Sequence, residues 1–180
     1  MNATPHTASA PARLTVQALS ALPQPDFVAR LEGIFEHSPW IAERAWSRRP
    51  FASVDALHAA MLAVLDAASE AEQLALICAH PELAGKEAEE GTLTTASTGE
   101  QRGAGLDQCS KDELHRLRSL NKAYRQRFGF PFVVAVKGLS RHQIMDGVEA
   151  RLANDRDTEF NRCLQEIGKI ARFRLDALLA

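Results

Sequence analysis

The chain has 180 residues, of which 46% are apolar and 24% are charged, and this size and composition are typical of one globular domain. Its 21 basic and 23 acidic side chains leave a formal net charge of -2, which excludes the strongly basic surface of a nucleic-acid-binding protein. The apolar runs are far shorter than the roughly 18 residues of a membrane-spanning helix, and residues 1–12 lack the charged and apolar regions of a signal peptide. We therefore expect no nucleic-acid partner, no membrane partner and a cytoplasmic location.

Capping residues predict three helices at the start of the domain. The first begins near Pro25 and carries an apolar face at helical spacing, formed by Phe27, Leu31, Ile34 and Phe35. A short second helix follows Ser38, whose hydroxyl is predicted to cap it ahead of Pro39. A third helix opens at Ser53, the next capping hydroxyl in the chain.

The fourth predicted helix places a histidine at its end. Ser69 and Glu72 have the spacing of a capping box at its start. Pro81 ends it, because a proline disfavours helical backbone in the residue before it, and His80 is that residue. Residues 81–98 then lose helical periodicity and are rich in glycine and hydroxyl side chains, which predicts an ordered loop.

The second half of the chain contains three further predicted helices. A long one begins at Ser110, which forms a capping box with Glu113, and ends at Phe128 before a glycine. The apolar run 130–136 is too short for a separate helix, so we predict a buried extended segment. Ser140 caps the next helix, and apolar spacing over residues 160–178 predicts a final long one.

These elements predict an all-α fold. We expect a single-domain bundle of about seven to nine helices, with the ordered loop and the extended segment lining the active site. Residues 14–180 form this domain, and residues 1–13 form a disordered or poorly ordered extension. No internal repeat suggests a second unit.

The sequence predicts neither a metal site nor a bound cofactor. None of the six histidines has another histidine at helical ligand spacing, and the three cysteines include no CxxC pair. A phosphate-binding loop and a dinucleotide fingerprint are also absent from the sequence. We therefore expect the protein to bind neither a metal ion nor a cofactor.

Polar groups at breaks in helical structure are the candidate catalytic residues. An imidazole titrates near neutrality and a carboxylate can orient it, so His80 and Glu100 could move a proton if they converge. Two capping roles compete with this interpretation. His80 could cap carbonyls at its helix end, while Ser97 with Glu100, and Thr98 with Gln101, have capping-box spacing. Spacing alone leaves both interpretations open.

Several long motifs, taken in order, resemble one family. They are residues 37–40 (HSPW), 49–51 (RPF), 80–86 (HPELAGK), 94–107 (TTASTGEQRGAGLD), 120–138 (LNKAYRQRFGFPFVVAVKG) and 166–175 (EIGKIARFRL). Together they resemble the 2-oxo-4-hydroxy-4-carboxy-5-ureidoimidazoline (OHCU) decarboxylases of uric acid degradation.

The resemblance implies a cofactor-independent carboxy-lyase that forms (S)-allantoin, with His80 as its catalytic proton donor. Such a donor would give a pH profile governed by a group that titrates near neutrality, and Glu100 would accept hydrogen bonds from the substrate and orient His80. The implied partners are the small-molecule ureidoimidazoline substrate and a second copy of the chain in a homodimer. The substrate-contacting positions implied by the resemblance are Pro81, Ser97, Thr98, Gly99, Glu100, Gln101, Phe132, Val133, Val134, Ala135 and Val136.

Two other classes of function stay open at this point. A metal-independent ureide hydrolase would act on related substrates, although the sequence lacks the metal motif that activates water in many hydrolases. A non-catalytic helical binding module would use His80 and Glu100 only as caps. The sequence also leaves open which arginine, if any, binds the substrate carboxylate.

Overall fold

The computed structural model describes residues 14–179, and it confirms the all-α prediction for that part of the chain. The predicted extension, residues 1–13, lies outside the described residues. Residues 14–179 contain ten α-helices and two short 3-10 turns, and the one β-type pairing among them is an isolated parallel bridge between Leu14 and Leu179. The helices are α1 (Val16–Ser20), α2 (Gln24–Arg30), α3 (Trp40–Ala45), α4 (Val54–Asp66), α5 (Glu70–Ala79), α6 (Lys86–Glu90), α7 (Thr95–Gly103), α8 (Lys111–Phe128), α9 (Arg141–Arg151) and α10 (Arg156–Leu178).

The described part contains more helices than the expected seven to nine, because α1 and α6 are each only five residues long. A helix this short does not show a repeating apolar pattern. The prediction of a loop over residues 81–98 was wrong in part, since α6 and the start of α7 lie within it. Gly91 ends α6 with a left-handed backbone at φ 67°, which glycine adopts without steric cost.

Most predicted caps are confirmed. The Ser69–Glu72 and Ser110–Glu113 capping boxes are both formed, and the hydroxyl of Ser140 accepts from the Gln143 backbone N–H. The predicted cap at Ser38 was wrong: its hydroxyl donates to the Glu36 carbonyl at 2.9 Å, and α3 starts after Pro39 without a side-chain cap. Pro39 itself takes the capping position with φ -62°, an angle that the proline ring imposes and that a helix start accepts.

Helix α10 is the longest element and packs against α4, α5 and α8. A Cβ atom added at Gly168 would lie 3.1 Å from a Leu62 methyl group, so glycine permits the close approach of α10 to α4. The core also takes in Ile34 and Phe35, which are buried although α2 ends at Arg30. The predicted first helix was therefore too long at its end, because Ile34 and Phe35 are buried from the turns between α2 and α3 and not from a helix.

The predicted extended segment is confirmed. Residues 130–136 connect α8 to α9 without helix or strand, and most of their side chains are buried. Tyr124 of α8 packs edge-on against Phe130 and Phe132, with ring centroids 6.2 and 5.2 Å away. This aromatic cluster packs against one side of the segment and holds it in place. Another side of the segment lines a cavity.

No helix of the described residues is both long enough and apolar enough to cross a lipid bilayer.

Candidate active site

His80 ends α5 and is buried, with 7% of its surface exposed. Its Nδ1 lies 2.9 Å from the Leu76 carbonyl oxygen. Because a carbonyl only accepts hydrogen bonds, Nδ1 carries the hydrogen and Nε2 keeps a free lone pair in the neutral ring. The backbone therefore orients this imidazole, a role that was expected of Glu100.

Burial lowers the pKa of His80 below its ordinary value. The hydrogen bond to Leu76 and the negative charges of Glu36 and Glu100 act in the opposite direction, and the positive charge of Arg174 adds to the lowering. The net direction is downward, so His80 is held in its neutral form at neutral pH. A neutral imidazole with a free Nε2 can accept a proton and then donate it.

Glu100 lies in the middle of α7, and Arg174 of α10 binds both of its carboxylate oxygens. The Nε–Oε1 distance is 2.8 Å and the Nη2–Oε2 distance is 2.9 Å, the paired geometry that strengthens and orients such contacts. The cap of α7 is Thr94, which accepts from the Ser97 backbone N–H. The capping-box interpretation of Glu100 was therefore wrong, because α7 starts three residues earlier than the box would require.

Glu36, in the connection between α2 and α3, binds the opposite side of the same guanidinium. Arg174 Nη1 donates to Glu36 Oε2 and to the Gly33 carbonyl, both at 2.7 Å, and Nη2 reaches the Ser97 hydroxyl at 3.3 Å. With the two contacts to Glu100, all five N–H groups of Arg174 have an acceptor within the protein. A substrate carboxylate could therefore bind Arg174 only by displacing one of these acceptors.

The cluster holds two carboxylates and one guanidinium, of which Glu36 and Arg174 are deeply buried. Burial would raise the pKa of Glu36, but the hydrogen bond and charge of Arg174 outweigh it and hold that pKa below its ordinary value. Burial likewise opposes the charge on Arg174, and Glu100 and Glu36 together raise its pKa. Because a buried charge cluster of this kind costs desolvation energy, it is more typical of a functional site than of a stabilising device.

These groups meet at a small cavity of about 30 Å³, which opens beside an outer chamber of about 420 Å³. Glu100, Arg174, Val136 and Ile170 line both spaces. The smaller cavity has a polar side formed by His80, Ser97, Glu100, Gln101 and Arg174, and an otherwise largely apolar wall formed by Pro81, Leu83, Phe132, Val133, Val134, Val136 and Ile170.

The structure places eight of the eleven predicted substrate positions at the inner cavity, together with His80, and it places Gly99 and Ala135 at the outer chamber. Thr98 is the position that it does not bring there, because its hydroxyl donates to the Thr94 carbonyl on the exposed side of α7. Gln101 lines the cavity while its Oε1 accepts from the Ala84 backbone N–H at 2.9 Å. That contact leaves the amide NH₂ as its available group.

Glu36 was not among the predicted site residues, and Arg174 had no predicted role. Arg174 lies within the motif 166–175, which supplied a usable signal, although nothing in the spacing separated it from the other arginines. Glu36 directly precedes the motif at 37–40 and has no local signal of its own, since its partners include Ser97 of α7 and Arg174 of α10.

A larger groove of about 670 Å³ lies elsewhere, between α4, α5 and α10. Its histidine, His58, has Nε2 bonded to the Gly168 carbonyl at 2.8 Å. Size alone would favour this groove, but the cluster of histidine, carboxylates and guanidinium favours the smaller cavity. Within residues 14–179, no group of three or more His, Cys, Asp or Glu side chains is placed to hold a metal ion.

Comparison with known proteins gives consistent similarities. The family model described as OHCU decarboxylase matches residues 20–176. The 2-oxo-4-hydroxy-4-carboxy-5-ureidoimidazoline decarboxylase of Haloferax volcanii is 44% identical over 162 residues, which cover 90% of this chain and 94% of that protein.

Two solved structures are also similar. A crystal structure of (S)-allantoin synthase superposes with a TM-score of 0.72 at 30% identity, covering 92% of this chain and 54% of the other. An OHCU decarboxylase crystallised in the presence of (S)-allantoin gives a TM-score of 0.62 at 18% identity, covering 81% of this chain and 94% of the other. The second match shows similarity of fold alone.

Proposed function

The chain belongs to the OHCU decarboxylase family, and from this premise we propose that it converts 2-oxo-4-hydroxy-4-carboxy-5-ureidoimidazoline into (S)-allantoin and CO₂ in uric acid degradation. The observation that carries the proposal is a buried, neutral His80 at one cavity with a carboxylate, Glu100, that Arg174 holds through both oxygens. This arrangement supplies a proton-transfer group and a fixed hydrogen-bond acceptor, the two elements that the reaction requires.

The substrate itself supplies the electron sink. When the bond to the carboxylate breaks, its electron pair forms a double bond between the hydroxyl-bearing carbon and the ureido-bearing carbon. The electron pair of the ring C=N bond moves onto nitrogen, which takes a proton from solvent. The hydroxyl then loses its proton to become a carbonyl, and the ureido-bearing carbon gains one.

His80 performs both of these last proton transfers in our proposal. Its free Nε2 accepts the hydroxyl proton, and the resulting imidazolium donates a proton to the ureido-bearing carbon. Delivery from one fixed side of the ring gives a single enantiomer. The bond from Nδ1 to the Leu76 carbonyl supports this role, because it orients the ring and stabilises its charged form once the proton has been accepted.

Glu100 and the extended segment hold the substrate. The carboxylate of Glu100 accepts hydrogen bonds from the hydroxyl or ureido N–H groups, and Arg174 keeps it in place. The amide of Gln101 and the backbone of residues 132–136 suit a flat ring whose edge alternates N–H and C=O groups. The apolar wall leaves the departing CO₂, a neutral molecule, in apolar surroundings.

The direct test follows freshly generated substrate by ultraviolet absorbance and the product by circular dichroism. We expect substrate loss above the spontaneous rate, CO₂ release and a chiral allantoin signal. Cleavage of the ureide without CO₂ release would favour a hydrolase, and no acceleration would favour a non-catalytic module. Either outcome would contradict the proposal.

The pH dependence of kcat/KM tests the protonation state of His80. Because burial holds the pKa of His80 below its ordinary value and the free enzyme must start with a neutral ring, kcat/KM is expected to be level through neutral pH. It should fall as the pH drops through the lowered pKa, approaching about tenfold per pH unit.

The charged groups that act on this ring are Glu36 from the α2–α3 connection, Glu100 from α7 and Arg174 from α10. A kcat/KM that falls as the pH rises from about 6 to 8 would instead mean that the resting enzyme must carry the proton. A variant with Asn at position 80 serves as the control, since the acidic fall should be absent from its residual activity.

Removal of metal ions is expected to leave turnover unchanged. The substrate stabilises its own carbanion-like intermediate, so no metal is required to polarise it. The measurement is the rate before and after exhaustive chelation with EDTA. Loss of activity that a single divalent metal restores would contradict the mechanism and favour metal-assisted hydrolysis.

The family resemblance also supports three further proposals. The enzyme acts as a homodimer, it is located in the cytoplasm, and residues 14–180 form its catalytic domain.

A further inference from the structure

The extended segment 130–136 lines the cavity without a neighbouring strand to hold its backbone. In a sheet, adjacent strands would satisfy its peptide groups and fix its path. Here two charged side chains take their place, Glu166 from α10 and Arg151 from the end of α9.

Glu166 is 2% exposed, and each of its oxygens has different partners. Oε2 accepts the backbone N–H of Ala135 at 3.0 Å. Oε1 faces outward to Lys169 at 2.7 Å and Arg162 at 3.1 Å. Burial would raise the pKa of Glu166, but the hydrogen bonds from Lys169 and Ala135 hold it below its ordinary value. The group therefore stays a carboxylate and accepts through both oxygens.

Arg151 donates from Nη1 to the Val133 carbonyl at 2.8 Å, and its guanidinium lies 4.4 Å from the centre of the Phe132 ring. It is itself fixed, because Nε donates to Glu159 at 2.8 Å. Glu159 is fully buried and also accepts from Tyr124 and Asn154. Arg151 is therefore held by a buried carboxylate at Nε while its Nη1 contacts the segment.

The two contacts lie on the same edge of the segment. In extended backbone, the peptide groups of residues i and i+2 point to one side, and those of residue i+1 point to the other. Val133 and Ala135 are therefore held on one edge, and the N–H and C=O of Val134 point to the opposite edge. Val134 lines the small cavity, and within residues 14–179 neither of its backbone groups has a protein partner.

We propose that Glu166 and Arg151 are positioning residues for substrate binding, which clamp the edge of Val133 and Ala135 so that the backbone groups of Val134 face the substrate. The inference rests on the proposed function, since it assigns the free N–H and C=O of Val134 to the alternating edge of a ureide. Neither clamp residue lines the cavity itself, and their effect passes through the backbone of the segment.

Three changes at or beside Glu166 separate this role from a general structural one. Glu166→Asp keeps the charge but shortens the side chain, so its carboxylate no longer reaches the Ala135 N–H. Glu166→Gln keeps the length and an accepting oxygen but loses the charge. The double change Arg162→Gln with Lys169→Gln removes the outward ion pairs and leaves the contact to Ala135 intact.

We expect Glu166→Asp to raise KM by about fivefold or more, the range of one lost hydrogen bond, while kcat changes by less than about twofold. The Gln variant should restore KM to within about twofold of the unmodified enzyme, and the double variant should match that enzyme. An unchanged KM in the Asp variant would overturn the proposal. A Gln variant whose KM is raised as much as that of the Asp variant would overturn it too. KM would then depend on the charge of the side chain and not on its contact to the Ala135 N–H.

Amide hydrogen exchange at Ala135 provides a readout that does not depend on turnover. The clamp predicts slow exchange in the unmodified protein and the Gln variant and fast exchange in the Asp variant; equal exchange in all three would overturn it. A protein with this exchange pattern that fails to decarboxylate the substrate would refute the proposed function, whereas an active enzyme with an unchanged KM in the Asp variant would refute the clamp alone.

Discussion

Replacing His80 with asparagine is expected to lower kcat by at least about 10²-fold, the contribution of a positioned proton-transfer group. The substitution keeps the fold, because the asparagine amide nitrogen takes the place of Nδ1 and can still donate to the Leu76 carbonyl. The free energy of unfolding should change by no more than about 1.5 kcal/mol. Steady-state kinetics and thermal unfolding measure the two effects separately.

His58→Asn is the matched control for this experiment. His58 also contacts a backbone carbonyl through a ring nitrogen, that of Gly168 at 2.8 Å, but it lies in the larger groove and not at the cavity. Its replacement should leave kcat unchanged. Near-normal turnover in a folded His80→Asn protein would reject His80 as the group that moves the proton.

Replacing Glu100 with glutamine is expected to lower kcat by about tenfold or more, because a fixed anionic acceptor at the cavity is replaced by a neutral amide. One oxygen can still accept from Arg174, but the new NH₂ group faces a guanidinium donor. The free energy of unfolding should fall by about 1–2 kcal/mol. Kinetics and chemical denaturation of the same preparation test both values.

Glu149→Gln provides the control for the loss of an arginine-bound carboxylate. Glu149 accepts two donors of Arg116 at 3.2 and 2.8 Å on the exposed faces of α8 and α9. Because this pair is exposed and remote from the cavity, its loss should change neither turnover nor stability appreciably. Equal activity in the Glu100→Gln protein and the unmodified protein would reduce Glu100 to a structural partner of Arg174.

Both variants act on a site whose charges are coupled. Glu36, Glu100 and Arg174 together carry one net negative charge beside His80, and burial lowers the histidine pKa while the two carboxylates oppose that effect. The pH profile of Glu100→Gln should therefore shift further toward acid, because one of the groups that raise the pKa of His80 is removed.

Features that depend on residues close together in the chain could be predicted without the structure. Ser69 caps α5 with Glu72, only three residues away, and Pro81 ends that helix at His80 because its ring excludes helical backbone before it. The extended run at 130–136 followed from its length and apolar composition. Such interactions are fixed by helix geometry and backbone sterics, so their residue spacing can be read directly.

The assembly of the site depends on contacts between residues far apart in the chain, which could not be predicted from local patterns. Arg174 is 138 residues from Glu36 and 74 from Glu100 in the chain, and Glu166 reaches Ala135 across 31 residues. No sequence period encodes these contacts, because they depend on how α10 packs against α7 and the segment at 130–136. Glu100 illustrates the difference between local and long-range contacts. Its local spacing suggested a helix cap, whereas in the folded chain its carboxylate binds Arg174 of α10.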